Sequence, residues 1–161
     1  KADVVIACLE KRLSVVSQQI KNLKRPSVVI IEWLDPLMVA GHWVPEMVER
    51  AGGNMLLSKR GEKSVEVSWE QILQTNPDVL IIAPCGFSIS RTMEEIVLIS
   101  QREGFKNLKA YKEKNIFLMD GDAYLTRPGP RVVDGIEILV DIFYSQRGES
   151  RHSENDWRRL L

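Results

Sequence analysis

"SVVIIEW", residues 27–33, and "DVLIIAP", residues 78–84, decide the fold. Each is an unbroken apolar run, rich in β-branched residues and of strand length. Neither alternates polar with apolar, as a strand with one wet face would. A continuous run of this kind suits a strand buried on both faces, the situation inside a parallel sheet sandwiched by helices. "NIFLMD", residues 115–120, is a third such strand, and "NMLL", residues 54–57, a short fourth candidate.

The segments between these strands read as helices. In "HWVPEMVERAGG", residues 42–53, Pro45 stands in the first helical turn and Gly52 and Gly53 form the stop. "SWEQILQTNPD", residues 68–78, has a serine N-cap and must end before Pro77. Ser88 or Ser90 caps a helix through "RTMEEIVLISQRE", residues 91–103. "PRVVDGIEILVDIFY", residues 130–144, puts Val132, Ile136, Leu139 and Phe143 on one face. Strands alternating with helices predict an α/β fold with a mostly parallel sheet covered on both sides.

Ahead of the first strand, Val5, Leu9, Leu13, Val16, Ile20 and Leu23 recur at steps of three and four. The spacing predicts one long helix over residues 1–25, about 30 Å in length. It is either a packed layer or a strut toward something outside this chain. Residues 26–145 then form the α/β lobe. Residues 146–161 are polar and mixed in charge and read as a tail or a peripheral helix.

Composition narrows the partners. Lysine plus arginine equals aspartate plus glutamate, 22 each in 161 residues, so no overall field draws the chain to nucleic acid. The longest apolar runs are far too short to span a bilayer. The opening "KADVVIACLEKR" has no separate apolar segment with a small-residue cleavage site, which fits a mature or trimmed chain. Cys8 and Cys85 form no CxxC pair and are expected to be buried free thiols.

In an open parallel sheet, ligands collect at the carboxyl ends of the strands, where loops and helix N-termini converge. Three loops leave in that direction: "EWLDPLMVAGHW" (32–43), "APCGFSISR" (83–91) and "DGDAYLTRPGPR" (120–131). They offer Trp33, Trp43, His42, Phe87, Tyr124, Arg127 and Arg131, an aromatic surface with cationic points suited to a broad, flat ligand. Each residue also has a plainer role. Trp33 fits core and platform equally; Trp43 serves as a staple for the following helix; Arg131 pairs with Asp134 or a carbonyl. Arg127 precedes Pro128, which extends it and presents it outward.

Enzyme chemistry has thinner support. Cys85 would be a nucleophile with His42 as base, in a chelatase- or reductase-like enzyme, but nothing in the sequence places the two together. There is no HExxH, no paired cysteines and no aspartate-rich loop for a metal. GxGxxG and Walker loops are missing as well, so nucleotides lack their phosphate cradles. A further alternative is an interaction domain that uses the lobe as a dimerisation scaffold.

The stretches "EWLDPLMVAGHWVPEMVERAGG" (32–53), "VSWEQILQTNPDVLIIAPCGF" (67–87) and "YLTRPGPRVVDGIEIL" (124–139), in this order, resemble the helical-backbone substrate-binding proteins of ABC importers. The cobalamin-binding branch is the best match, and the similarity covers about residues 3–145. The resemblance implies a three-layer, Rossmann-like C-terminal lobe behind a long connector helix, with the N-terminal lobe absent and the chain a piece of a longer one. It implies a corrinoid, or else a ferric siderophore or haem, as transported ligand, with no resident cofactor, no metal site and no catalysis. By position, Trp33, Trp43, Phe87, Tyr124 and Arg127 would contact that ligand, and Glu70 would dock on the importer's permease. It also implies a periplasmic or extracellular location, with a lipid anchor as one form of attachment. An aromatic found in some cobalamin binders falls here near Ser64.

Overall fold

The computed structural model describes residues 2–144 and 152–161. Its centre is the sheet that the apolar runs require. β1 (Ser27–Leu34), β5 (Val79–Ile82) and β6 (Ile116–Met119) lie side by side and parallel. β3 (Asn54–Met55) adds to β1, also parallel. Val28, Val29, Ile30 and Ile31 of β1 and the whole of β6 are sealed from solvent. Burying one such side chain contributes about 1.5–3 kcal/mol, so these strands carry much of the fold's hydrophobic stabilisation.

Three antiparallel strands extend this parallel centre, and none was expected from the sequence. β2 (Leu37–Val39) folds back on β1 as a hairpin through Asp35–Pro36, and β4 (Val65–Glu66) pairs with β2. At the other edge β7 (Trp157–Arg159) pairs with β6, giving the order β4-β2-β1-β5-β6-β7. The expectation of a tail or peripheral helix over 146–161 is therefore corrected: residues 157–159 are a strand. Its pairing is satisfied by β6, 38–42 residues back in the chain, which local pattern does not reveal; residues 146–151 lie outside the described residues.

Alternate residues of the strands divide the core into two. Val28, Ile30, Ile81, Phe117 and Met119 face α1 (Ala2–Ile20), α2 (Val44–Arg50) and α8 (Arg131–Tyr144). Val29, Ile31, Leu80, Ile82, Ile116 and Leu118 face α3 (Trp69–Thr75), α4 (Ile89–Glu95), α5 (Val97–Ser100) and α6 (Lys109–Lys112). The result is three layers, helices on each face of a mixed but centrally parallel sheet. The caps match the sequence: Ser68 forms a capping box with Gln71, and Ser88, not Ser90, caps α4. The single helix expected through 91–103 is broken into α4 and α5 at Ile96.

α1 is shorter than expected, ending at Ile20. Leu13, Val16 and Ile20 pack on the core, and Arg12 forks onto Asp134 and Glu137 of α8 at 2.5–2.9 Å. That leaves Asp134 bonded to Arg12 rather than reserved for Arg131. The first turns do not follow the expected buried stripe: Val4, Val5 and Ile6 are 74%, 51% and 53% exposed. Both cysteines are free and exposed, which corrects the expectation of buried thiols. Cys8 sits in the part of α1 that the lobe does not cover, and Cys85 in a loop.

Asp78 ties the starts of β1 and β5 together. Its carboxylate accepts from the Ser27 amide and hydroxyl, each at 2.8 Å, and from Lys109 Nζ at 2.6 Å. Burial alone would raise this carboxyl; the Lys109 ammonium and the two Ser27 donors outweigh it and hold it at about 2. A folded value below the unfolded one means stability that is complete above about pH 4 and is lost as pH falls toward 2. Asp78→Asn is expected to cost about 1–2 kcal/mol at pH 7, allowing for partial exposure, and far less at pH 2. Urea midpoints of both proteins at the two pH values check this; an equal loss at both would refute the assignment.

Candidate functional site

The carboxyl ends of β1, β5 and β6 are laced together by main-chain bonds. Ala83 N–H donates to Ile31 O and Cys85 N–H to Glu32 O, both at 2.9 Å, so the chain leaving β5 runs beside the end of β1. Gly86, at φ +76°, turns the loop, and its amide donates to Thr126 Oγ1 at 3.1 Å. The amides of Gly121 and Asp122 donate to Phe87 O at 3.0 and 3.3 Å. Gly121 opens α7 (Gly121–Tyr124) and lies so close to the β5 loop that a Cβ there would stand 2.2 Å from Pro84 O.

On this frame stands an aromatic pair. Trp33 is 38% exposed, and its ring meets Phe87 edge to face at 5.8 Å between centroids. The indole N–H is spent on Asp35 O at 3.0 Å, which fixes the ring and leaves its apolar faces for contact. Arg91 lies over the Phe87 ring, its Cζ 4.8 Å from the centroid, and is ion-paired to Glu94 and Glu95. Sequence reading did not single out Arg91. The signal was there in principle: four residues beyond an aromatic, in the first turn of a serine-capped helix, a long side chain reaches back over that ring.

The other named residues are placed differently. Trp43 is half-buried against the core at the start of α2, and its indole N–H donates to Leu125 O at 3.1 Å, so it anchors the β6 loop. Tyr124 is held inward: its ring packs on the core and its hydroxyl donates to Asp156 Oδ1 at 2.5 Å. Burial, then the Asp156 carboxylate, push this phenol up to about 12. Arg127 is highly exposed and bridges to Asp122 at 3.0 Å. The structure thus brings Trp33 and Phe87 together, leaves Arg127 exposed and paired with Asp122, and uses Trp43 and Tyr124 as supports. Asp156 arrives from 32 residues downstream of Tyr124, a pairing invisible to sequence spacing.

Glu70 occupies the first turn of α3, fully exposed. Its own backbone amide and the Ser68 hydroxyl hold its carboxyl below the usual range, so it is a persistent surface charge. His42 lies against Trp43, and among the described residues no hydrogen bond joins it to Cys85. No group of three or more His, Cys, Asp or Glu among the described residues is arranged to hold a metal ion. No helix among the described residues is long and apolar enough to cross a membrane.

The model of the periplasmic binding protein family matches residues 1–123. The chain belongs to that family. Periplasmic binding proteins are transport components rather than enzymes, and family membership implies an extracytoplasmic location. The chain is 22% identical over 152 residues to the high-affinity heme uptake system protein IsdE of Staphylococcus aureus (strain MRSA252), covering 86% of this chain and 50% of that protein. It superposes on a possible iron-binding (periplasmic solute-binding) protein from Staphylococcus epidermidis ATCC 12228 with a TM-score of 0.72 at 28% identity, over 89% of this chain and 55% of the other. On the periplasmic vitamin B12 binding protein BtuF of Vibrio cholerae the TM-score is 0.66 at 19% identity, over 86% and 52% of the two chains. This periplasmic binding protein chain therefore spans about half the length of the curated relative it matches.

Proposed function

We propose that this chain is one lobe of an extracytoplasmic substrate-binding protein that captures a metal chelate and delivers it to an ABC importer. A corrinoid is the ligand we favour. The exposed Trp33–Phe87 pair at the carboxyl rim of the parallel sheet carries the reading. Paired aromatic faces contribute through area and polarisability, which suits a macrocycle or a ligand-wrapped metal better than a small polar solute. The bare, apolar first turns of α1 support a connector that runs on to a second lobe, which would close the other side of the site. Glu70 supplies a fixed carboxylate for docking on a basic patch of the permease.

A second reading, a haem or an iron-siderophore ligand, is favoured by the heme uptake and iron-binding relatives. Both readings share the rim and the transport role, and neither gives Cys85 or His42 a catalytic part.

Titration of the complete protein with cyanocobalamin, haemin and a ferric hydroxamate, followed by quenching of tryptophan fluorescence, tests the proposal. Binding of one of these at micromolar Kd or tighter is expected, with the 161-residue lobe alone about 100-fold weaker because half its contacts are gone. Failure of all three to bind the complete protein would refute it.

A further inference from the structure

The aromatic pair is held from behind by a residue that does not touch it. β7 pairs with β6 so that Met119 faces Trp157, which sets Asp156 across from Asp120 where the chain leaves β6 for α7. From there Asp156 grips α7 at both ends. Its main-chain carbonyl accepts the Asp120 amide at 3.0 Å, and its carboxylate accepts the Tyr124 hydroxyl at 2.5 Å. Asp120 is the N-cap of that helix and Tyr124 its last residue. The other carboxylate oxygen accepts the Ser153 amide and hydroxyl, each at 2.8 Å. Burial would raise this carboxyl, but the Tyr124 and Ser153 donors outweigh it and hold it below the usual range. It is therefore a charged acceptor at neutral pH, the stronger kind.

Asp156 has a firm seat of its own. The Trp157 ring meets Phe117 of the buried β6 at 5.8 Å between centroids, and the Leu160 amide donates to Ile116 O at 2.8 Å. From the β5 loop, the Phe87 carbonyl accepts the Gly121 and Asp122 amides, and the Phe87 ring meets Trp33. α7 is four residues long, too short to keep its geometry unaided, and it stands between these two holds. Loss of Asp156 would strand the Tyr124 hydroxyl without its acceptor and free α7 to shift, taking the Phe87 main chain with it.

We infer that Asp156 is a positioning residue for ligand binding: through Tyr124 and α7 it sets where Phe87, and with it the Trp33–Phe87 pair, stands. The inference rests on the reading of the rim as the ligand site. The test uses the complete protein and whichever of cyanocobalamin, haemin and a ferric hydroxamate binds it tightest. Asp156→Ala and Tyr124→Phe are each expected to weaken that probe roughly fivefold. The double variant should lose no more than the worse single one, because both remove one link. Asp156→Asn, which accepts from Ser153 through its oxygen and donates to the phenol through its amide, should recover affinity to within about twofold of the unaltered protein. Asp78→Asn loosens the opposite ends of the strands and should bind normally, which separates positioning from stability. With no probe present, the Gly121 and Asp122 amides should exchange with solvent deuterium roughly tenfold faster in Asp156→Ala than in Asp78→Asn. Normal affinity in Asp156→Ala, additive losses in the double variant, no recovery in Asp156→Asn or equal exchange in the two variants overturns the inference; a loss in Trp33→Ala then still leaves the rim as the ligand site. Binding untouched by Trp33→Ala, or absent for all three probes, removes the rim reading and the inference with it.

Discussion

Gly121→Ala is expected to destabilise the protein by about 2–3 kcal/mol and to lower Tm by roughly 5–10 °C. Local preference points the other way. Gly121 sits in the first turn of α7 without a positive φ, where alanine is the better helix former by about 1 kcal/mol. The neighbours decide the sign. A Cβ there would lie 2.2 Å from Pro84 O and 2.8 Å from Ala83 O, both main-chain atoms at the end of β5 that cannot rotate aside. Relief requires the β5 and β6 loops to separate, which would break the Gly121 N–H bond to Phe87 O and shift Phe87 relative to Trp33. Ligand affinity should therefore fall together with stability. Gly129→Ala, where nothing lies within 4 Å of the new Cβ, is the control and should stay within about 0.5 kcal/mol. Equal urea midpoints for the two variants would show that the loops do not meet as described.

Trp33→Ala should lower ligand affinity of the complete protein by roughly 30-fold or more, about 2 kcal/mol, the loss typical of a central aromatic contact. Its stability cost should be smaller, about 1 kcal/mol, because the ring is already 38% exposed and loses chiefly the edge-to-face contact with Phe87. Phe87→Ala is expected to resemble it and to release Arg91 as well. Arg127→Ala should change affinity by no more than about threefold, since its charge is engaged by Asp122 at an exposed position. Calorimetric titration beside thermal unfolding separates the two effects. A Trp33→Ala protein that binds normally while unfolding much earlier would make Trp33 a core residue and remove the basis for the site.

Much of the fold was legible because long runs carry their own physics. A stretch such as Val28 to Ile31 leaves no face fit for water, so it belongs inside a covered parallel sheet whatever follows it. Caps were legible for a similar reason. Ser68 and Ser88 satisfy amides within their own first turns, an interaction that needs no distant partner. The short strands were not legible. β2, β4 and β7 span only two or three residues each, too few to show a period, and exist because a neighbouring strand offers an edge. Trp157–Arg159 reads locally as a charged tail until β6 pairs with it.

The same division runs through the site. Which strand ends carry aromatic and cationic residues follows from the order of the runs and the loops between them, because parallel strands must place those loops on one rim. Which of the residues face outward depends on partners far along the chain. Asp156 claims Tyr124, Leu125 claims Trp43, and Asp122 and the Glu94–Glu95 pair take the charge of the arginines. Hydrogen bonds and ion pairs act over a few ångströms in space, regardless of separation in sequence. The chain by itself therefore determined a covered parallel sheet with a decorated rim, and only the tertiary structure decided that the rim presents two aromatic rings in edge-to-face contact, with Arg91 and Arg127 ion-paired.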